Sequence, residues 1–385
     1  MANEAINFHF DRITDRRNSG SEKWDKYRER DIVPLWVADM DFPSPPAVLE
    51  ALRKRTDHGI FGYTHAPDGL VETVTGHLLR DFGWRIEPQW LVWLPGLVCG
   101  LNVACRAVGE PGDGVATFTP VYSPFMSAPI NSSREIVKIP LMEENGNWRP
   151  DPEAFNNALT DRTKLFLLCN PHNPVGRVFS EKELVELAEV ALRRDIIICS
   201  DEIHAGLILD PDKRHIPIAR ISPEIADRTI TLMAPSKTYN IPGLGCSFAV
   251  ISNPMLRKAF KRVMAGIVPH VNALGYTAAE AAYSEGEEWR RALIDYLREN
   301  RDLVAREVNQ IPELSANLPE ATYLSWIDAR YSGLVDAASF FEEAGVGLSD
   351  GADFGAEGFL RLNFGCPRPL LQKALQRMAQ AMTQV

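Results

Sequence analysis

The sequence predicts an α/β protein: a large domain with a mostly parallel sheet flanked by helices, plus a smaller α/β domain built from both termini. Three observations carry that expectation. The middle of the chain alternates short runs rich in Val, Ile, Leu and Phe with helix-patterned stretches, and continuous apolar runs of this kind fit strands covered on both faces. One stretch between two runs has its own start signal, Ser180 followed by Glu183, after which Leu184, Leu187, Ala188 and Ala191 recur on one helical face. Strand–helix–strand order then implies parallel pairing. Finally, 385 residues, 45% apolar and 24% charged, suffice for two or three domains and exclude a disordered or collagen-like chain.

Taken in order, residues 1–45 are loop-rich, with an aromatic and proline cluster (PLWVADMDFPSPP). Candidate strands follow at 114–118, 135–140, 164–169, 195–200, 229–233 and 247–252. From Glu287 the pattern turns long and helical (EEWRRALIDYLRENRDLVAREVNQ). Shorter strands are expected at 322–327 and 359–364. A last helix over 369–382 carries Leu371, Ala374, Leu375, Met378 and Met382 on one stripe. The expected division is a large α/β domain over 46–286 and a small domain from 1–45 and 287–385.

Composition narrows the function. Lys and Arg number 41 against 51 Asp and Glu, a net charge of −10, which argues against a general binder of nucleic acid or anionic membrane. Purely apolar runs such as LFLLC are far shorter than the roughly 20 residues of a membrane span, and the N-terminal stretch lacks the apolar core of a signal peptide. A cytoplasmic address is the expectation. The six cysteines form no C-x-x-C pair, and reduced, mostly buried thiols are expected. No H-E-x-x-H and no G-x-G-x-x-G after a strand occur, so no metal site and no dinucleotide site are expected.

In open α/β sheets, ligands bind beyond the carboxyl ends of the strands. Three candidate strands end in polar groups there: NPHNPVGR (Asn170–Arg177), Asp201-Glu202, and Ala234-Pro235-Ser236-Lys237. Each alone has an ordinary structural explanation. Asn-Pro forms turns, Asp caps helices, and a lysine after a strand is commonly solvated. Together, in this order, they point to one site.

This set resembles the fold-type I pyridoxal-phosphate enzymes of the aspartate-aminotransferase-like superfamily. The likeness runs from about Trp36 to Arg368. The closest branch it resembles is the MalY/PatB-type cystathionine β-lyases, through LWVADMDF, FGYTH, SDEIHAGL, SKTYNIPGL, ATYLSWID and RLNFGCPR. The resemblance implies a PLP-dependent transferase-like fold, with pyridoxal 5′-phosphate as cofactor and a small amino-acid substrate. Lys237 is implied to hold the cofactor's aldehyde and to serve as base for the Cα proton, since a desolvated amine is the better base and nucleophile. Asp201 is implied to pair with the ring nitrogen and Asn173 with the phenolic oxygen. Tyr122, from TPVYSPF, would stack on the ring, and His204 would support Asp201 from behind.

The phosphate is implied to sit on backbone N–H groups of PGLVCGL, at Gly96, Leu97 and Val98, with the Ser236 hydroxyl. A second serine common in the superfamily is replaced by Ala234. Tyr63 resembles the tyrosine that reaches the neighbouring subunit's phosphate, implying a homodimer with shared sites. In FLRLNF, alternation puts Arg361 and Asn363 on one face. Arg361 is implied to bind the substrate carboxylate, with Asn173 and the backbone near Trp36 and Val37 also close to substrate.

The activity implied is α,β-elimination from L-cystathionine or related cysteine S-conjugates, giving thiol, pyruvate and ammonia. Many aminotransferases of the superfamily carry a phosphate-contacting arginine eight residues after the lysine, and here that position is Gly245. An amino-acid aminotransferase is the alternative. A PLP-containing regulator with a protein partner and little turnover is a third.

Overall fold

A computed structural model describes residues 8–144 and 146–383. The outermost parts of the expected small domain, 1–7 and 384–385, lie outside the described residues. Seven strands form the main sheet: β1 (Leu91–Leu94), β2 (Gly114–Thr119), β3 (Glu135–Pro140), β4 (Thr163–Cys169), β5 (Ile197–Asp201), β6 (Thr229–Met233) and β7 (Ser247–Val250). Their order is β1-β7-β6-β5-β4-β2-β3. Pairing is parallel from β6 through β3, and only β7 runs against its neighbours.

The central strands read as they do because both faces are covered. In β4, Leu165 and Leu167 enter one hydrophobic cluster, while Phe166 and Leu168 enter another on the opposite face. β3 departs from that expectation. It is the edge strand, and along it only Ile139 is fully buried, as the alternation in EIVKIP allows. The helix α2 (Glu181–Arg193) has the expected capping box, with Ser180 and Glu183 bonding reciprocally. It follows α1 (Leu97–Ala107), whose N-cap is Gly96.

A second, antiparallel sheet holds β8 (Ser315–Ala316), β9 (Leu324–Asp328), β10 (Ser349–Asp350) and β11 (Phe359–Asn363), in the order β8-β9-β11-β10. The long helix α3 (Glu287–Val308) and the last helix α4 (Arg368–Met382) pack with it. The N-terminal segment joins this region through Val33–Pro34, paired in parallel with Val346–Gly347. No helix among the described residues is long and apolar enough to cross a membrane. Of the six cysteines, all free, five are buried and Cys99 is partly so.

Candidate active site

Parallel pairing brings the three polar strand ends to one edge. Cys169, the last residue of β4, stands opposite Asp201, and Asp201 stands opposite Leu232 of β6. Asn173 follows the first of these, and Lys237 follows the last. Beside them β1 leads into Gly96 and the start of α1. These residues line a cavity of about 720 Å3. Its other wall is the N-terminal stretch Trp36–Asp39, with Ser349 and Arg361 from the second sheet and Phe354 from the turn between β10 and β11.

The electrostatics are those of buried, under-compensated charge. Asp201 is 5% exposed and accepts one hydrogen bond, from the Ile203 N–H at 3.1 Å. Burial lifts its carboxyl to about 7, and the neighbouring Glu202 pushes the same way. Lys237 donates from Nζ to the Ala38 carbonyl at 2.6 Å. Its ammonium is brought down to about 8, first by burial and then by the Arg361 charge, with Asp39 and Asp201 opposing. Burial also raises the Tyr122 phenol.

Arg361 is held from several sides. Nη1 donates to Asn173 Oδ1 at 3.2 Å, and Nη2 donates to the Trp36 carbonyl at 2.8 Å and to Ser349 Oγ at 3.3 Å. The guanidinium lies 4.6 Å from the Phe354 ring centre, and its Nε is buried without a partner. Desolvation lowers the guanidinium to about 10. Asn363, on the same strand face, clamps the Val37 and Asp39 carbonyls at 2.5 and 2.7 Å.

Lys237, Asp201, Tyr122, Asn173, His204, Ser236, Gly96, Leu97, Val98, Arg361, Trp36 and Val37 all border this cavity. Tyr63 does not. It stands fully exposed on the chain's outer surface. No hydrogen bond joins His204 to Asp201 among the described residues. The acid takes its bond from Ile203 instead, and the His204 ring sits edge-on to Tyr323 with Nδ1 unpartnered. Burial, then the Lys237 and Arg361 charges, lower its imidazole to about 3, so it is neutral.

Sequence reasoning missed several contributors. Tyr323 Oη donates to the same Ala38 carbonyl, at 2.8 Å. Asn240 brackets the stretch through Met40 N and the Met40 and Phe42 carbonyls. Asp41 anchors it from behind, paired with fully buried Lys23 at 2.7 Å and with Arg16 at 2.6 Å. Asn240 and Tyr323 fell inside quoted motifs (SKTYNIPGL, ATYLSWID), a usable signal. Lys23 carried none.

The donor set fits a planar, phosphorylated, cationic aromatic ring. A buried carboxyl lacks a cation of its own. The Asn173 Nδ2 and the Ser236 hydroxyl have no partner among the described residues. The first N–H groups of α1 are free by helix geometry, and no side chain caps them. At Gly245, φ is +60°, and a Cβ would lie 3.2 Å from the Pro95 carbonyl. An arginine there would be strained.

A family model described as aminotransferase class I and II matches residues 30–378. Cystathionine β-lyase PatB of Bacillus subtilis is 39% identical, over 97% of this chain and all of the relative. Among solved structures, OvoB superposes with a TM-score of 0.96 at 48% identity, covering 98% of this chain and 100% of OvoB. The PLP-bound C–S lyase of Staphylococcus hominis superposes with a TM-score of 0.93 at 34% identity, covering 98% and 99%.

Proposed function

Because this chain belongs to the class I and II aminotransferase family, we propose that it is a pyridoxal-phosphate-dependent carbon–sulfur β-lyase. Its substrates are cysteine S-conjugates of the L-cystathionine type, cleaved to thiol, pyruvate and ammonia. The carrying observation is the meeting of Lys237, Asp201 and Arg361 in one cavity, in a chain whose relatives include a cystathionine β-lyase and a PLP-bound C–S lyase.

When bound, the cofactor supplies an electron sink for negative charge developing at the substrate Cα. The chain's residues do the rest. Asp201 would hold the ring nitrogen protonated, a role that would offset the penalty of its own burial. Asn173 would serve the phenolic oxygen and Tyr122 the ring face. The amides of Leu97 and Val98, after Gly96, would hold the phosphate with the Ser236 hydroxyl. Arg361 would bind the α-carboxylate, with the Trp36–Val37 backbone alongside. Lys237 Nζ would hold the aldehyde and serve as base for the Cα proton. Its lowered pKa leaves much of the free amine neutral near pH 8. His204 contributes a neutral wall.

The same reading assigns the large domain to 46–286 and the small domain to 1–45 with 287–385, in line with the two sheets. It makes the protein a cytoplasmic homodimer in which the exposed Tyr63 reaches the partner's phosphate. The test is quantification of pyruvate and free thiol from L-cystathionine by the holoenzyme. Equimolar, sustained release of both supports the lyase. Stoichiometric pyridoxamine phosphate with a 2-oxo acid would establish the aminotransferase instead.

A further inference from the structure

Two donors far apart in the chain meet one carbonyl. Lys237 Nζ donates to the Ala38 oxygen at 2.6 Å, and Tyr323 Oη donates to the same oxygen at 2.8 Å. The Tyr323 hydroxyl has no other hydrogen bond among the described residues. Tyr323 is 1% exposed, does not border the cavity, and lies edge-on to His204.

Tyr323 is fixed independently of that contact. Thr322, just before it, is fully buried with φ at +74°, a left-handed conformation that a β-branched residue keeps only under restraint. The restraint comes from three sides. The Thr322 N–H donates to the Leu207 carbonyl at 3.0 Å, Thr322 Oγ1 accepts from the Leu324 N–H at 3.1 Å, and the Tyr323 carbonyl accepts from the Phe364 N–H at 2.9 Å. The Ala38 carbonyl, for its part, is placed without Tyr323. Asn363 bonds the carbonyls on either side of it, those of Val37 and Asp39, and the Asp39 N–H donates to the Val37 carbonyl at 3.0 Å. The hydroxyl is therefore not needed as an anchor. What it does is occupy the acceptor that Lys237 uses.

A hydrogen-bond acceptor stabilises an ammonium more than a neutral amine. An oxygen that already takes a hydroxyl proton offers less to that ammonium, and the two donated hydrogens repel each other. The other groups that bear on Lys237 are Arg361, Asp39 and Asp201, with the neutral imidazole of His204 beside them. Arg361 disfavours the ammonium, as Tyr323 does, and the two carboxylates favour it.

We propose that the Tyr323 hydroxyl keeps Lys237 reactive: by competing for the Ala38 carbonyl it weakens the hold on the ammonium and leaves the amine neutral and free to meet the cofactor's aldehyde. Tyr323 acts through the carbonyl, so it is a positioning residue. This rests on Lys237 being the amine that holds the cofactor and is indifferent to which reaction follows.

The test is the pH profile of pyridoxal phosphate capture by the cofactor-free protein, followed by visible absorbance. Tyr323→Phe keeps the ring and removes the donor. Its midpoint should move up by about 0.5–1 pH unit. Capture at pH 7 then becomes about three- to tenfold slower, while the plateau near pH 10 stays within about twofold. A merely structural loss would slow capture equally at every pH and would overturn the proposal. 3-Fluorotyrosine placed at position 323, close in shape and a stronger donor, should move the midpoint down, and it decides the matter should the Phe variant fail to fold. A midpoint that stays or falls in Tyr323→Phe, or rises with the fluorinated ring, refutes the role. Lys237→Ala separates this from the reading beneath it. Undiminished capture in that variant would refute Lys237 as the cofactor's amine, whereas lost capture there with an unmoved Tyr323→Phe midpoint would refute Tyr323 alone.

Discussion

Replacing Asp201 by Asn should disable the enzyme yet make the cofactor-free protein more stable at pH 8, by about 2 kcal/mol. Burial holds the carboxyl at about 7 instead of its ordinary 3.8. Between these values the folded chain keeps a proton that the unfolded chain has lost. Stability therefore falls as pH rises from about 4 to about 7, and the deficit persists above that. At pH 8 the full deficit is about 4 kcal/mol. Asn carries no charge to desolvate and keeps an oxygen for the Ile203 N–H. Its new amide donor costs about 1–3 kcal/mol if left unpaired. The variant should win at pH 8 and lose at pH 4.5, where the wild-type deficit has shrunk to about 1 kcal/mol. Urea unfolding midpoints of both cofactor-free proteins at the two pH values measure this. Saturating pyridoxal phosphate should reverse the order at pH 8, because only the wild type offers the ring a carboxylate. An Asn variant no more stable than wild type at pH 8, or a gap unchanged toward acid, would refute the reasoning.

Other outcomes follow from the same geometry. The rate at which the cofactor-free protein captures pyridoxal phosphate, followed by visible absorbance, should rise about tenfold per pH unit and level off near pH 8, because only the neutral amine reacts. Lys237 is held at about 8, and a profile still climbing past pH 10 would mean an unperturbed lysine. Arg361→Lys keeps the charge but loses the fork that holds Trp36, Ser349 and Asn173. Its kcat/KM should fall about 30–100-fold, mainly through KM, in steady-state assays. Asp41→Asn takes the closer carboxylate from fully buried Lys23, leaving it only Asp39 at 3.7 Å and the Asp39 carbonyl. It should cost about 3 kcal/mol and lower the thermal midpoint by roughly 5 °C or more by calorimetry.

The sheet was legible where physics leaves one reading. LFLLC and IIICSD are apolar without alternation, and only strands buried on both faces need that. Once β4, β5 and β6 are parallel neighbours, Asn173, Asp201 and Lys237 must gather at one edge. β1 escaped because LVWL is only four residues long and runs straight into the turn before α1. The reversal of β7 escaped because no helix separates it from β6. Thirteen residues of loop and a short turn, Ala234–Cys246, permit an antiparallel return.

The opposite wall was unreadable for a different reason. Trp36–Asp39 has almost no secondary structure of its own. Its shape comes from groups far along the chain: Tyr323 and Lys237 on the Ala38 carbonyl, Arg361 on Trp36, Asn363 on Val37 and Asp39. Local pattern cannot encode bonds spanning two to three hundred residues. Yet this dependence ties substrate to catalysis. The Ala38 carbonyl accepts from the Lys237 amine, and the Trp36 carbonyl two residues earlier accepts from Arg361. One short stretch of backbone therefore positions both the group that would meet the substrate carboxylate and the amine that would act at its Cα.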